Sequence, residues 1–379
     1  DIPYTINRII KVMGKAQTRR MCLWDQFPQE KEYDSYGKTQ RTYTLSGRVH
    51  LDYMQLYIKY NYEERHSYRL DYIGEMEVGE KKVAYEGSLD KLYNQDFGQF
   101  LEYNIQDVML LEKLDAKLQF IDLANTIAHD NTVLLPTTAG AVATTEQAII
   151  NEAHRRGYVV PDRVRGSEKD GKAAGAYVAN PKKGYHEWIG SMDINSLYPS
   201  VFRALNMAPE TIVGQVTLEH TEAEIEAKQA GTWQDPKTGE TSKAVGFAQA
   251  WNGKFCSNEF EMIHQRRTDI KLRLSLEDGT QLDLTPAEIH TLIFHSDQPW
   301  NISANGTIFR TDFQGIVPGL LERWYAERKQ MQAKKKEFEE GTAEYNFWDK
   351  RQLVKKINLN SLYGAILNSG CRFFDKRIG

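Results

Sequence analysis

Apolar residues recur at helical spacing over several stretches, and this periodicity predicts a chain rich in helices. The predicted helices cover 1–20, 96–123, 144–156, a stretch that runs from 315 to a break at 341–342, and 343–367. The last two form an antiparallel hairpin because only a short break joins them. Residues 22–46 are polar and rich in turn formers, which indicates loops or a hairpin, and 49–60 reads as a strand followed by a helix.

Two of these helices carry a clear apolar face that is predicted to be buried. On the first helix the face consists of Ile6, Ile9, Ile10 and Met13. On the second it consists of Leu101, Ile105, Val108, Leu111 and Leu114. Tyr103 and Asp107, four residues apart, share the other side of the second helix.

A short strand is predicted at 187–194, and it ends at the turn around which the rest of the chain is interpreted. Pro199 suits the first turn of a following helix, whose apolar face carries Val201, Phe202 and Leu205. Asp193 therefore lies where a strand ends and a helix begins. A lone aspartate there is most often a helix cap, but it can also hold a metal while the next backbone N–H groups face a phosphate.

The last predicted helix presents an unusual polar face. Lys356, Asn360 and Tyr363 are spaced i, i+4 and i+7, so they project from one side, and Gly364 follows. A lysine there can neutralise a polyphosphate, and the glycine lets a base or a backbone approach closely. By contrast, 216–300 is charged and shows no sustained periodicity, which predicts a surface insertion.

Composition narrows the class of protein without deciding it. The chain has 379 residues, 26% of them charged, and a net charge of −4, which does not by itself suggest a nucleic-acid binder. The three cysteines form no CxxC pair, which favours free thiols in a reducing compartment over a zinc site or disulfides. No apolar run is long enough to cross a membrane. The chain opens within a helical pattern and without Met, so we expect it to be a piece of something longer.

Taken together, the motifs resemble family B DNA polymerases, in particular the branch of the tailed phages with large genomes. DINSLYPS at 193–200 matches the first palm motif, D-x-x-S-L-Y-P-S, and KINLNSLYG at 356–364 matches the fingers motif, K-x-x-x-N-S-x-Y-G. GIVP at 315–318 and the following helix are similar to the start of the fingers. YNIQD at 103–107 is similar to the third exonuclease motif, and the turn at 175–176 to the linker between the two activities.

The resemblance implies an α/β (α+β) fold with three kinds of domain. Residues 1–135 would be part of an RNase H-like 3′–5′ exonuclease, and 136–314 a palm part with a mixed sheet and an insertion at about 216–300. Residues 315–367 would be antiparallel two-helix fingers, and 368–379 a return to the palm.

It also assigns roles to residues of the polymerase site. Two Mg²⁺ ions, with Mn²⁺ as an alternative, would be bridged by Asp193, with the Ile194 carbonyl as a further ligand. The resemblance would place the triphosphate and sugar against Ser196, Leu197, Tyr198, Arg328, Lys356 and Asn360. Tyr198 would block a ribose 2′-hydroxyl, and Tyr363 and Gly364 would lie at the nascent base pair. The family carries a second basic residue one turn after Arg328; here it is Gln332, and Lys329 or Lys334 would have to substitute.

The exonuclease assignment uses fewer residues. Asp1 would be the final carboxylate of the second exonuclease motif, and Tyr103 and Asp107 would belong to the third. Asp1 and Asp107 would then be two of about four carboxylates that hold the metals of a nuclease site. The first exonuclease motif, with its Asp and Glu, is not found ahead of Tyr103.

The family's D-T-D hairpin is not found anywhere in this sequence. One aspartate is a poor holder for two divalent ions, so we expect the chain alone to be inactive and to need a partner that carries D-T-D and the thumb. Other expected partners are primer–template DNA, dNTPs and, only through the missing part, a sliding clamp, in the cytoplasm of the host cell if the gene is phage-borne. The alternatives are a non-catalytic DNA-binding or assembly module that keeps polymerase architecture, and a stand-alone nuclease.

Overall fold

A computed structural model describes residues 2–35, 38–61, 63–162, 182–216, 232–234, 241–243 and 257–378. It is a mixed α/β structure, mostly helical, that divides into two compact units. Unit 1 comprises Asp1–His129 and Val133–Ala139, and unit 2 comprises Asp130–Thr132 and Gly140–Gly379. Asp1, the turn at 175–176 and Cys256 lie outside the described residues.

Unit 1 consists of helices and one β-hairpin. Its α-helices are α1 (Ile2–Thr18), α2 (Tyr53–Tyr60), α3 (Leu70–Val78), α4 (Leu89–Gln95), α5 (Phe97–Leu118) and the greater part of α6 (Phe120–Asn131). The hairpin pairs β1 (Gln29–Ser35) with β2 (Lys38–Thr44), as 22–46 allowed. Short 3₁₀ turns cover Arg19–Met21, Leu23–Asp25 and Leu135–Ala139. The strand predicted at the start of 49–60 does not form; Asp52 caps α2 instead, accepting hydrogen bonds from Met54 N and Gln55 N.

Two helices form where one was predicted over 96–123, and the prediction that its apolar face is buried is wrong for most of that face. Gln119 adopts a left-handed conformation (φ 55°) that ends α5 before α6 begins. Leu114 is buried, but Ile105 and Val108 are 61% and 64% exposed, and Leu101 and Leu111 are exposed as well. The buried side of α5 instead carries Leu110 and packs on α3. Polar contacts from α5 to the loop after α3 lie on that same side and help to hold it there.

The first helix is confirmed, although its apolar face is only partly buried. Ile6 is fully buried, and Ile9 and Ile10 are half-buried. Met13 is 60% exposed, and the helix is kinked directly after it at Gly14, where φ is 79°.

Unit 2 carries the two long helices expected near the end of the sequence. Its helices are α7 (Ala141–Arg155), α8 (Leu197–Leu205), α9 (Asn258–His264), α10 (Pro286–Phe294), α11 (Ile316–Lys335) and α12 (Ala343–Ile366). A 3₁₀ turn covers Pro209–Thr211. The break between α11 and α12 comes from Gly341 (φ 90°) and from Thr342, whose hydroxyl accepts the Tyr345 N–H at 3.3 Å. Such a cap stabilises a helix by about 1 kcal/mol.

A five-stranded antiparallel sheet lies between α8 and α11 in the sequence. Its strands are β3 (Ile212–Val216), β6 (Leu272–Leu276), β7 (Gln281–Leu284), β8 (Trp300–Ile302) and β9 (Thr307–Arg310), in the order β7-β6-β3-β9-β8. A separate pair joins β4 (Thr232–Gln234) to β5 (Thr241–Lys243). All strand pairs in the described chain are antiparallel, so the predicted mixed sheet is not seen there. Short turns join β6 to β7 and β8 to β9, and strands joined by short turns are antiparallel neighbours.

Residues 257–300 are not a surface insertion without regular structure. They supply β6, β7, β8, α9 and α10, and their apolar side chains share a core with β3 and β9. Leu274 and Ile289 are fully buried against Val216 and Ile308, which lie on either side of the stretch. The periodicity was too short to see because strands of four or five residues carry only two inward positions each.

The core that positions α8 and the helical hairpin is a second cluster in unit 2. It joins side chains of α7, α8, β3, β9, α11 and α12. Its members include Ile149, Phe202, Phe309, Leu320, Trp324, Leu359 and Leu362. No helix in the described part of the chain has both the length and the apolarity needed to cross a bilayer.

Candidate functional site

The turn at 193–198 joins an extended segment to α8. No strand forms at 187–194, contrary to the prediction, and Trp188 and Met192 are fully exposed. The apolar pattern is present, but a strand needs a partner for its backbone hydrogen bonds, and none of the described strands pairs with this segment. Asp193 and Ile194 are both exposed, so their oxygens are open to solvent.

Helix α8 begins directly after this turn. Ser196 takes a left-handed conformation (φ 53°), and Leu197 and Pro199 lie in the first turn, as predicted. The first N–H groups of a helix have no intrahelical acceptor, so those of Leu197 and Tyr198 are available to an anion. Phe202 anchors the other side of α8 in the core, Leu205 is half-buried and Val201 is 39% exposed.

Tyr198 and Tyr363 are brought together by the packing of α8 against α12. Their rings stack with centroids 4.2 Å apart and planes 9° apart. The edge of the Phe202 ring also meets Tyr363, at 6.1 Å between centroids. Burial, with a further contribution from Tyr198, raises the pKa of the Tyr363 hydroxyl above its ordinary value. The Tyr363 hydroxyl therefore stays neutral at physiological pH, and the two stacked rings act as planar surfaces.

The turn is also connected to α11 through Tyr325. Asn195 Nδ2 donates to Tyr325 Oη at 3.4 Å, and the Arg203 guanidinium lies 5.6 Å from the centre of the Tyr325 ring. Lys329 lies 5.5 Å from the same ring. Of the two lysines that the sequence offers for the missing basic position, Lys329 is therefore placed towards the turn. Lys334 instead pairs with Glu337 at 3.3 Å on the surface.

The polar face of α12 receives Arg328 from α11. Arg328 Nε donates to Gln352 Oε1 at 3.3 Å, and Gln332 Nε2 approaches the same oxygen at 3.5 Å. Gln352 lies one turn before Lys356 on α12, so Arg328 and Lys356 share one side of the hairpin. Asn360 and Gly364 are exposed further along α12, and Lys356 is half-buried.

The segment that leads into α11 is fixed by the residues that directly follow α7 and α8. After α8, Asn206 Nδ2 donates to the carbonyls of Arg310 and Phe313, and its Oδ1 accepts the Gly315 N–H at 2.9 Å. After α7, Arg156 donates to the Gln314 carbonyl at 2.9 Å. The start of α11 is thus positioned by side chains that satisfy backbone groups of residues 310–315.

Glu152 on α7 is the centre of an ionic cluster behind that turn. It is 1% exposed and accepts from Arg155, Arg156 and Arg323, the last at 3.1 Å. Burial by itself would raise the pKa of Glu152, but hydrogen bonds from Arg155 and Arg156 and the charge of Arg323 bring it below its ordinary value. The carboxylate is therefore ionised and ties α7 to α11.

The donor set at Asp193 suits a divalent cation but is too small for two. A carboxylate and the neighbouring Ile194 carbonyl are oxygen ligands of the kind that Mg²⁺ prefers. Within the described residues no group of three His, Cys, Asp or Glu side chains lies close enough to hold a metal. Asp193 therefore fits one shared ligand of a two-metal site, and the remaining ligands have to come from residues outside that set.

In unit 1 the predicted pair Tyr103 and Asp107 lies on one side of α5, together with a lysine. Lys82 Nζ donates to Asp107 Oδ2 at 2.8 Å and to Tyr103 Oη at 3.1 Å. Asp107 Oδ1 is buried and has no hydrogen-bond partner in the described structure. Burial lowers the pKa of Lys82, but the hydrogen bonds to Asp107 and Tyr103 outweigh it and raise that pKa overall. An orphaned carboxylate oxygen of this kind fits a metal ligand.

Sequence reasoning missed three residues of these sites. Gln352 had a signal, since it lies four residues before Lys356 and hence on the same helix face. Tyr325 had no distinct signal, because an aromatic residue next to Trp324 is typical of an apolar helix face, yet its hydroxyl reaches the turn. Lys82 had no local signal because it lies far from Tyr103 and Asp107 in the sequence.

Comparison with known proteins identifies the family. The model of DNA polymerase family B matches residues 133–378, about two thirds of the chain. The chain belongs to DNA polymerase family B. It is 26% identical over 383 residues to the DNA-directed DNA polymerase of Escherichia phage RB69 and 26% identical over 390 residues to that of Enterobacteria phage T4. It is also 28% identical over 231 residues to the DNA polymerase delta catalytic subunit of Drosophila melanogaster.

The extent of these matches differs between the relatives. Both phage comparisons cover 100% of this family B chain but only 40% of the relative, and the Drosophila comparison covers 56% of this chain and 20% of the relative. The chain thus spans about two fifths of the length of its phage relatives. The resemblance read from DINSLYPS and KINLNSLYG is confirmed at the level of the family.

Proposed function

We propose that this chain is the nucleotide-binding part of a DNA-directed DNA polymerase, with unit 2 as palm and fingers. The observation that carries the proposal is the meeting of the two motifs: the DINSLYPS turn and the KINLNSLYG helix contact each other through the Tyr198–Tyr363 stack. A turn with free helix N-terminal amides on one side and two cations on the other suits a nucleoside triphosphate.

The proposed roles follow from what each group is able to do. The Leu197 and Tyr198 amides, with the Ser196 backbone, would bind the β,γ-phosphates, and Arg328 and Lys356 would neutralise them from the hairpin. Asn360 would add a hydrogen bond. Tyr198 would lie under the sugar and exclude a 2′-hydroxyl, while Tyr363 and Gly364 would border the base pair. Divalent cations held by Asp193 and the Ile194 carbonyl would activate the primer hydroxyl and neutralise the triphosphate.

We further propose that unit 1 is part of a 3′–5′ exonuclease, with Tyr103 and Asp107 in its site and Asp1 as a third candidate. The support is the orphaned Asp107 oxygen beside Tyr103. Lys82 would hold the Asp107 carboxylate in a fixed orientation for its metal. Both activities act on primer–template DNA, as expected of a replicative polymerase with proofreading.

The chain alone is proposed to be inactive in synthesis, since Asp193 is a single carboxylate and the described residues contain no group of three His, Cys, Asp or Glu side chains that could hold a metal. A complementing polypeptide that carries D-T-D and a thumb would supply the rest, and contact with a sliding clamp would come through it. The test mixes the purified chain with such a segment, primer–template, dNTPs and Mg²⁺. Synthesis that appears only in the mixture, and that Asp193→Asn abolishes, is the expected result. Robust extension by the chain alone would refute the need for a partner.

The test also separates the polymerase from the alternative of a non-catalytic module. DNA binding without synthesis in the mixture, and equal binding by wild type and Asp193→Asn, would favour the module. A second measurement addresses the triphosphate site directly. Lys356→Ala should weaken dTTP binding by one to two orders of magnitude, about the effect of removing a charged partner from a phosphate. Unchanged affinity would show that the α12 face has another role.

A further inference from the structure

A buried lysine lies immediately behind the two cations of the hairpin. The Lys355 side chain is 8% exposed, and its Nζ lies 2.7 Å from Asp130 Oδ1 and 2.7 Å from Glu327 Oε2. Asn358 Nδ2 donates to the second Asp130 oxygen at 3.0 Å, which completes the pairing of that carboxylate. Arg323 Nε also lies 3.8 Å from Glu327 Oε1, so two cations and two carboxylates meet in this cluster and their formal charges balance.

On each helix, two consecutive residues divide between this cluster and the pair of cations Arg328 and Lys356. On α11, Glu327, whose side chain is 34% exposed, belongs to the Lys355 cluster, and the next residue, Arg328, reaches Gln352. On α12, Lys355 belongs to the cluster and the next residue, Lys356, lies one turn beyond Gln352. Successive helical residues point about 100° apart, so each helix contributes one side chain to the inside and the next to the proposed phosphate side.

This arrangement addresses a physical difficulty of the proposed site. Arg328 and Lys356 carry like charges on one side of the hairpin, since Arg328 reaches Gln352 and Lys356 lies one turn beyond Gln352. Before a triphosphate arrives they repel each other, and the repulsion acts to part α11 from α12 at this level. The Glu327–Lys355 pair is an attraction between the same two helices at the same level, and it opposes that repulsion.

We propose that Lys355, with Glu327 and Asp130, is a positioning cluster that holds Arg328 and Lys356 in place for a triphosphate against their mutual repulsion. The proposal rests on the proposed triphosphate site and adds to it a residue that does not touch the ligand. Because the site is preorganised, the ligand does not have to supply the work of bringing two cations together. Since repulsion between partly exposed charges is screened within about 10 Å at 0.1 M salt, the benefit is greatest at low ionic strength.

The test measures the dissociation constants of tripolyphosphate and of dTTP by calorimetry over a series of salt concentrations. Lys355→Met should bind both about tenfold more weakly than wild type near 0.05 M salt, which corresponds to the loss of one well-placed charge pair. The ratio between variant and wild type should fall to about twofold near 0.5 M salt, where the repulsion is screened. Lys355→Arg keeps both carboxylate partners and should restore binding.

A matched control removes another ion pair between the same helices. Lys335 on α11 pairs with Asp349 on α12 at 2.8 Å, nearer the break between the helices. Lys335→Met should lower the melting temperature of the hairpin but leave tripolyphosphate affinity within about twofold at every salt concentration. If Lys355→Met does not fold, Glu327→Gln, which keeps the Lys355–Asp130 pair, gives the same test through a smaller change.

The outcomes separate this inference from the proposed function. If wild type binds tripolyphosphate and Lys356→Ala does not, but Lys355→Met or Glu327→Gln binds like Lys335→Met, the positioning role is refuted and the triphosphate site stands. A salt-independent defect would equally refute it, since it would point to general loss of structure. If wild type and Lys356→Ala bind alike or not at all, the triphosphate site and the positioning cluster both fall.

Discussion

The ring of Tyr198 on α8 lies flat against the ring of Tyr363 on α12, with centroids 4.2 Å apart. One tyrosine lies in DINSLYPS and the other in KINLNSLYG. Stacking between such rings stabilises their relative position by about 0.5–1.5 kcal/mol. The surface proposed to meet the sugar is therefore fixed in part by the residue proposed to meet the base pair.

Sugar selection should depend on both rings. In the enzyme completed with a D-T-D segment, Tyr198→Ala should incorporate ribonucleotides more readily because the steric block is gone. Tyr363→Leu should do so to a smaller extent, since Tyr198 loses its supporting ring, and Tyr363→Phe should behave like wild type. Incorporation of dTTP and UTP opposite the same template base checks this. Unchanged discrimination in Tyr198→Ala would refute the assignment.

Gly364 should be required for function and not for stability. It lies inside α12, is exposed, and a Cβ added there would meet nothing within 4 Å. Replacing glycine by alanine in a helix interior stabilises by about 0.5–1 kcal/mol, so Gly364→Ala should unfold at higher denaturant concentration. If Gly364 borders the base pair, the same variant should extend primers more slowly in the completed enzyme. A variant that is more stable and fully active would remove Gly364 from the site.

Gly319 should be required because of two neighbouring side chains. A Cβ at this position would overlap Arg156 Nη2 and would lie 2.8 Å from Gln314 Oε1, and Arg156 is held in turn by Glu152 and the Gln314 carbonyl. Gly319→Ala must displace the guanidinium from these partners, which should cost about 1–3 kcal/mol. In an Arg156→Ala background the same change should cost less, because only the end of the Gln314 side chain then has to move. Chemical denaturation of wild type, the two single variants and the double variant measures the free energy of unfolding in each case. Equal costs of Gly319→Ala in both backgrounds would contradict the contact with Arg156.

The Glu152 cluster should make unit 2 sensitive to acid. The folded state lowers the pKa of Glu152 below its ordinary value of 4.5. Its contribution to stability is therefore complete above pH about 4.5 and is lost as pH falls through the lowered pKa. Glu152→Gln should be less stable than wild type at pH 7, and the difference should shrink towards pH 3. Denaturation across this range measures it, and a difference that is constant with pH would show that charge is not the cause.

Much of the hairpin and of the turn at Asp193 followed from local sequence. The start of α11, the bounds of α12, the break at Gly341 and Thr342, and the start of α8 were predicted to within a few residues, because capping and periodicity act between near neighbours. The end of α11 was not, since that helix stops at Lys335, well before the break. The face shared by Lys356, Asn360 and Tyr363 required only the helical repeat. The predicted strand at 187–194 did not form, because a strand is completed by a partner and not by its own pattern.

The sequence by itself determined that this is a family B polymerase chain and which helix faces carry its polar residues. Only the tertiary structure decided which of those residues meet. The Tyr198–Tyr363 stack, the Lys82–Asp107 pair and the cluster of Lys355 with Asp130 and Glu327 all join distant positions. The exposed face of α5 and the sheet formed by 257–310 were likewise undecided by local pattern. The physical reason is that propensity and spacing act within a few residues, whereas burial and ion pairing depend on which surfaces the folded chain brings together.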